Sequence, residues 1–106
     1  MNLKSIEYFL TTVEEMNVTR AAERLFISQQ ALSSHLKRLE EEYGVRLFER
    51  KPSLRLTLEG EQMVFYGKHI VQAEANLRAA FSDISKTTGA YSESGSHGSA
   101  AAYFFL

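Results

Sequence analysis

S-Q-Q-A-L-S-S-H-L-K-R-L, Ser28 to Leu39, is the stretch whose reading decides the fold. On a helix of 3.6 residues per turn, Leu32, Leu36, Leu39 and Tyr43 fall on one side. Gln30, Ser33, Ser34 and Lys37 fall on the other, with Gln29 and Arg38 at its margins. No carboxylate occurs between Ser28 and Leu39, although the chain as a whole carries a formal net charge of −1. Amides, small hydroxyls and cations are the groups that pair with base edges and phosphates, and small serines let a backbone approach a groove floor. The same pattern also suits a solvated amphipathic helix with no ligand.

Upstream, residues 2–16 predict a first helix. Asn2 is its N-cap, Leu3, Ile6, Phe9, Leu10 and Val13 form its apolar face, and Glu7, Glu14 and Glu15 face out. Met16-Asn17 breaks the pattern, and Asn17 or Thr19 caps a short second helix from Arg20 to Phe26 with a narrow stripe of Ala21, Ala22 and Leu25. Small residues there let two helices cross closely. Ser28 caps the third helix after a tight connection. Two short helices so joined, the second with an outward polar face, form a helix-turn-helix. Glu40 to Glu42 read as a solvated C-terminal face that discourages DNA from approaching that end.

Gly44 stops the third helix. Beyond it the period changes, with Val45, Leu47, Leu54, Leu56 and Leu58 alternating with polar residues around a Lys51-Pro52-Ser53 turn. This predicts a small hairpin with Arg50, Lys51 and Arg55 at or near its tip. From Tyr43 to Thr57 four cations, Arg46, Arg50, Lys51 and Arg55, face a single acid, Glu49. A basic hairpin after a helix-turn-helix reads as a wing; the plainer alternative is an ordinary surface hairpin.

From about Leu58 to Thr87 the helical period returns. Met63, Ile70, Leu77 and Ile84 recur every seven residues, with Tyr66, Ala73 and Ala80 three residues after the first three. Some thirty residues rise ~45 Å, more than a three-helix core covers. An apolar seam of that length needs a partner, so this is read as a dimerisation helix. Gly67, Ala73 and Ala80 beside Tyr66 and Phe81 suit close antiparallel packing. Gly89 to Ala102 is Gly/Ser-rich and unable to bury enough surface to order itself. The chain closes on the apolar Tyr103-Phe104-Phe105-Leu106.

With 106 residues, 44% of them hydrophobic, there is room for one ordinary domain and an appendage. The near-neutral charge excludes a globally basic nucleic-acid packager, so any positive surface is local. Absence of cysteine removes thiolate chemistry and sulfur-ligated metal. The N-terminus lacks a signal peptide's apolar core and no stretch reaches the ~20 apolar residues of a membrane span, so the expectation is a soluble, cytoplasmic protein. His35, His69 and His97 show no metal-type spacing, no G-x-S-x-G or Gly-rich phosphate loop occurs, and neither enzyme activity, metal nor cofactor is expected. His35 is read as a boundary residue between the two faces of the third helix.

The run from Thr19 to Arg50, T-R-A-A-E-R-L-F-I-S-Q-Q-A-L-S-S-H-L-K-R-L-E-E-E-Y-G-V-R-L-F-E-R, followed by L-T-L-E-G-E, resembles the N-terminal DNA-binding domain of LysR-type transcriptional regulators. A-A-x-x-L, S-Q-x-A-L-S, L-E-x-x-x-G, L-F-x-R and L-T-x-x-G-E occur in family order, and the resemblance covers about Met1 to Thr88. It implies a mainly α fold: a winged helix-turn-helix over residues 1–57, three helices plus a small β-hairpin wing. A long dimerisation linker helix follows over 58–88, then a flexible tail over 89–106. Carried over by position, Gln29, Gln30, Ser33 and Ser34 match the base-contacting face. Thr19, Arg20, Ser28 and Lys37 lie near phosphates, and Arg50 and Arg55, with Lys51 beside them, belong to the wing. The dimer seam falls on Met63, Tyr66, Ile70, Ala73, Leu77, Ala80, Phe81 and Ile84.

Three departures from the family pattern stand out. Gln30 replaces a common proline, the wing is one residue shorter, and Glu59 replaces a usual alanine at the start of the linker helix. Full-length members continue into an effector-binding domain whose first strand Gly89 onward does not begin, so no small-molecule effector site is expected in this chain. The implied partners are double-stranded DNA and a second copy, in a homodimer or a dimer of dimers. The rival is an interaction module that pairs through the linker helix with a full-length regulator.

Overall fold

The computed structural model describes residues 1–91, with side chains as far as Lys86. The order is α1 (Leu3–Glu15), α2 (Val18–Leu25), α3 (Gln29–Tyr43), β1 (Phe48–Glu49), β2 (Arg55–Leu56) and α4 (Leu58–Tyr91). This is the mainly helical winged helix-turn-helix expected from the residues. Met1–Ala73 forms one compact unit, and a second begins at Glu74. The Gly/Ser-rich stretch beyond Tyr91 and its apolar end lie outside the described residues.

Each of the first three helices starts on a side-chain cap. Asn2 Oδ1 accepts from the Ser5 N–H at 2.8 Å, Asn17 Oδ1 from Arg20 at 2.8 Å, and Ser28 Oγ from Ala31 at 3.0 Å. Each cap satisfies one of the amides that a helix N-terminus leaves without an internal partner. Asn17 rather than Thr19 is therefore the cap of α2, which begins two residues before Arg20. Each helix also ends in the left-handed region: Met16 at φ 45°, Phe26 at φ 59° and Gly44 at φ 66°. Only the last is a glycine. At Phe26 the turn is held by its N–H donating to the α2 carbonyls of Ala22 and Glu23.

The core of the first unit is one cluster. Phe9 from α1, Ala21 and Ala22 from α2, Leu32, Leu36 and Leu39 from α3, and Leu47 and Phe48 from the wing base are all buried. The rings of Phe9 and Phe48 meet at 5.4 Å, so the hairpin is fastened to the helices by an aromatic pair. Thr12, absent from the expected apolar face, is fully buried. Its hydroxyl donates to the Tyr8 carbonyl at 2.8 Å, which removes the cost of burying it. Tyr43, placed with the leucines by periodicity, is 45% exposed.

The hairpin pairs Phe48 with Leu56 and Glu49 with Arg55 in antiparallel register. The alternating pattern expected through Leu58 stops at Leu56. Leu58 opens α4 instead and is 78% exposed. Thr57 makes that change of course: its hydroxyl accepts from the Gly60 N–H at 2.9 Å and donates to the Arg46 carbonyl at 2.5 Å. Glu59 and Glu61 sit in the first turn of α4, where carboxylates favour the helix dipole. In the first unit, Met63 and Val64 of α4 pack against the core, and Gly67 approaches Ile6. In the second, Glu74 pairs with Arg78 one turn on, and Leu77, Phe81 and Ile84 are exposed. The helix continues through Gly89 to Tyr91, past the Thr88 boundary read from periodicity.

Candidate nucleic-acid interface

Leu32, Leu36 and Leu39 point α3 into the core, so its opposite side is turned outward by geometry alone. Gln29, Gln30, Ser34 and Lys37 are exposed and Ser33 is half-buried. Ser28, Gln29, Gln30, Ser33 and Ser34 together line one shallow polar depression. No acid lies in the first turn of α3, and no buried side-chain polar atom among the described residues lacks a hydrogen-bond partner. The face is therefore polar, free of carboxylates and unoccupied by the core.

Thr19, expected near phosphates, also meets α3. Its hydroxyl donates to Gln29 Oε1 at 3.0 Å, tying the first turn of α2 to the first residue of α3. The contact fixes the orientation of the Gln29 amide. It turns the amide's two N–H donors away from Thr19, and one lone pair of Oε1 remains. A glutamine held in this way keeps both the donor and the acceptor that adenine recognition requires. Arg20, in the same turn of α2, is exposed.

A second depression lies between α3 and the wing, lined by Ser33, Lys37, Glu40, Glu41, Arg46 and Arg50 among others. It brings Lys37 and Arg50, expected at phosphates, into one cleft. Arg46 joins them at the wing base, 4.0 Å from Glu49. At the tip, Arg55 donates to the Lys51 carbonyl at 3.3 Å across the Lys51-Pro52-Ser53 turn, while Arg50, Lys51 and Arg55 remain exposed.

Glu40 corrects the reading of Glu40 to Glu42 as a solvated acidic end. Its carboxylate accepts from the Leu47 N–H at 2.7 Å and from the Phe48 N–H at 3.4 Å. Glu42 instead pairs with the N-terminal ammonium of Met1. The Glu40 contacts depend on the chain reversing at Gly44 and the Glu42 contact on the N-terminus meeting the far end of α3, so helical periodicity carries no signal for them.

His35 occupies the boundary assigned to it. It is half-buried, its ring meets Tyr8 edge-on at 4.8 Å, and Nδ1 lies 3.4 Å from Arg38 Nη2. Burial, then the charges of Arg38 and Lys4, hold its pKa below the ordinary imidazole value. Among the described residues no group of His, Cys, Asp and Glu is placed to hold a metal ion. No helix there is long and apolar enough to cross a membrane.

On α4, Tyr66, Ile70 and Ala73 of the expected seam are exposed, while Met63 is partly buried against its own domain. Met63, Tyr66, Gly67 and Ile70 line an apolar groove with Tyr43 and Val45. In the second unit Leu77, Ala80, Phe81 and Ile84 are exposed. Phe26, 94% exposed at the turn between α2 and α3, is the most exposed large apolar side chain among the described residues, and periodicity did not flag it.

Known proteins share this arrangement. The family model described as bacterial regulatory helix-turn-helix protein, lysR family, matches residues 3–61. The uncharacterized HTH-type transcriptional regulator YraN of Bacillus subtilis is 39% identical over 69% of this chain and 26% of its own length. The DNA-binding domain of BenM, a regulator from Acinetobacter baylyi, was solved in complex with benA site 1 DNA. It superposes with a TM-score of 0.76 at 32% identity, covering 80% of this chain and 97% of that one. DarR of Vibrio fischeri, also solved with DNA, gives a TM-score of 0.77 at 28% identity over 81% of this chain and 30% of that one. The chain spans about a quarter of the length of the curated relatives it matches, 22% to 32% for the first three.

Proposed function

This chain belongs to the lysR family of bacterial regulatory helix-turn-helix proteins, and from that premise we propose that it binds double-stranded DNA sequence-specifically as a homodimer. Helix α3 enters the major groove, the wing rests on backbone, and α4 pairs with its twin to set the spacing of two half-sites. One observation carries the reading: the exposed, carboxylate-free face of α3, Gln29 to Lys37, lies beside the cations of the wing. The two relatives solved with DNA support it.

In this reading Gln29, Gln30, Ser33 and Ser34 meet base edges, with Thr19 orienting Gln29. Arg20, Ser28, Lys37, Arg50, Lys51 and Arg55 meet phosphates, which carry most of the affinity and make it fall steeply with salt. The seam Tyr66, Ile70, Ala73, Leu77, Ala80, Phe81 and Ile84 forms the dimer, with Met63 at its edge. Selection of bound DNA from a random pool tests the whole: a partial palindrome is expected, and recovery of unrelated sequences would overturn it.

The exposed apolar residues of α4 also favour a second reading, in which the chain pairs with a full-length relative and modulates it. Weak, sequence-blind binding by the isolated dimer, together with subunit exchange on mixing with a full-length relative, is the result that selects it.

A further inference from the structure

We infer that Glu40 is a positioning residue for DNA binding, setting the distance between the recognition helix and the wing. The inference rests on the DNA-binding reading and assigns the part that makes its two grips act together. Four backbone groups at the wing base converge on α3 and on Thr57, just ahead of α4. Val45 N–H donates to the Glu40 carbonyl at 3.1 Å, and the Leu47 and Phe48 N–H groups donate to the Glu40 carboxylate. The Leu47 carbonyl accepts from Thr57 N–H at 3.0 Å. Leu47 and Phe48 are themselves 1% exposed. The wing thus leaves the core from a point clamped by Glu40 on one side and Thr57 on the other.

The two-residue strands make this clamp consequential. A hairpin paired over only two residues has little stiffness of its own, so the direction of Arg50, Lys51 and Arg55 is inherited from the strand base. Charge-assisted hydrogen bonds from backbone amides to a carboxylate are the stronger kind. Without that carboxylate the Leu47 N–H, beside the buried core, loses its acceptor.

Electrostatics and positioning predict opposite signs. Glu40 lines the cleft that holds Lys37 and Arg50. Removing its negative charge strengthens DNA binding if charge is all it contributes. Positioning predicts that Glu40→Ala weakens cognate binding by about tenfold, the equivalent of one hydrogen bond to a charged group. Glu40→Gln keeps an acceptor oxygen and binds at least as tightly as the native chain.

The test measures binding to a selected DNA site by fluorescence anisotropy over a salt series, for the native chain, Glu40→Ala, Glu40→Gln, Arg50→Ala and Glu40→Ala with Arg50→Ala. Support for positioning is a salt slope shallower in Glu40→Ala by about 0.9 for each phosphate that the wing no longer neutralises. It also requires that Arg50→Ala costs little further affinity in that background. A purely structural defect lowers the active fraction but leaves the slope and the Arg50 effect unchanged, and that result overturns the inference. Tighter binding by Glu40→Ala overturns it too. Failure of the native chain to prefer any DNA site overturns the DNA-binding reading, and the inference falls with it.

Discussion

Gly60→Ala sets two physical effects against each other at the junction of wing and α4. Alanine in a helix is favoured over glycine by roughly 0.5–1 kcal/mol, so propensity alone predicts a more stable protein. The tertiary structure predicts the reverse. A Cβ at Gly60 overlaps the Leu47 carbonyl oxygen, lies 3.2 Å from the carbonyl carbon and comes within 2.7 Å of Leu56 Cδ2. The leucine methyl can rotate aside. The carbonyl cannot, because Thr57 N–H holds it at 3.0 Å while Glu40 holds the Leu47 N–H at 2.7 Å.

Relief therefore requires moving buried backbone, an overpacking cost of about 1–3 kcal/mol, with a hydrogen bond worth about 0.5–1.5 kcal/mol at stake. After the propensity gain the net loss is about 2 kcal/mol. In a domain of this size each kcal/mol shifts Tm by roughly 4–8 °C, so Gly60→Ala should melt roughly 8–16 °C lower in a thermal scan followed by far-UV circular dichroism. Gly67→Ala is the matched control. Its Cβ meets only side-chain ends, Ile6 Cγ2 at 3.1 Å and the Leu10 methyls at 3.8 and 3.9 Å. Its Tm should stay within a few degrees of native, the effect of well under about 1 kcal/mol. A Gly60→Ala protein as stable as the native chain would refute the claim that the wing base is clamped.

Gln29→Ala should relax specificity at one base pair by about 1–3 kcal/mol, read as the ratio of cognate to substituted-site affinity; equal loss on cognate and random DNA would defeat base reading. Arg50→Ala should instead weaken all sequences alike and lower the salt slope by about one per protomer. Leu77→Glu places a charge on the exposed seam of α4 and should shift the chain towards monomer in sedimentation equilibrium, while an unchanged mass would remove Leu77 from the interface. The lowered pKa of His35 means that the unfolded chain binds its proton more readily than the folded one. Its contribution is therefore complete above the unfolded value of about 6.5 and lost as pH falls through the folded value. Tm should drop on acidification through that window, and His35→Gln should flatten the drop; identical pH profiles would count against it.

Much of the fold was legible because its signals are local. Asn2, Asn17, Ser28 and Gly44 act on amides and carbonyls within a turn of themselves, and a leucine every three or four residues orients α3 wherever its core lies. The outward face of α3, and hence most of the candidate interface, followed from those two facts. Phe26 escaped because periodicity identifies residues that share a face, and a single aromatic in a left-handed turn belongs to none.

What tertiary structure alone decided lies in contacts between chain segments that run in different directions. Thr19 reaches Gln29 ten residues on, Glu40 turns from a solvated acid into the anchor of the wing, and Met63, the first residue of the expected seam, packs on its own core. Leu58 goes outward because Thr57 starts a helix where alternation implied a strand. Amino-acid types declare what a residue can bond with. Which partner arrives is settled by where Gly44 and Thr57 redirect the backbone, and there the geometry of the folded core outweighs local preference.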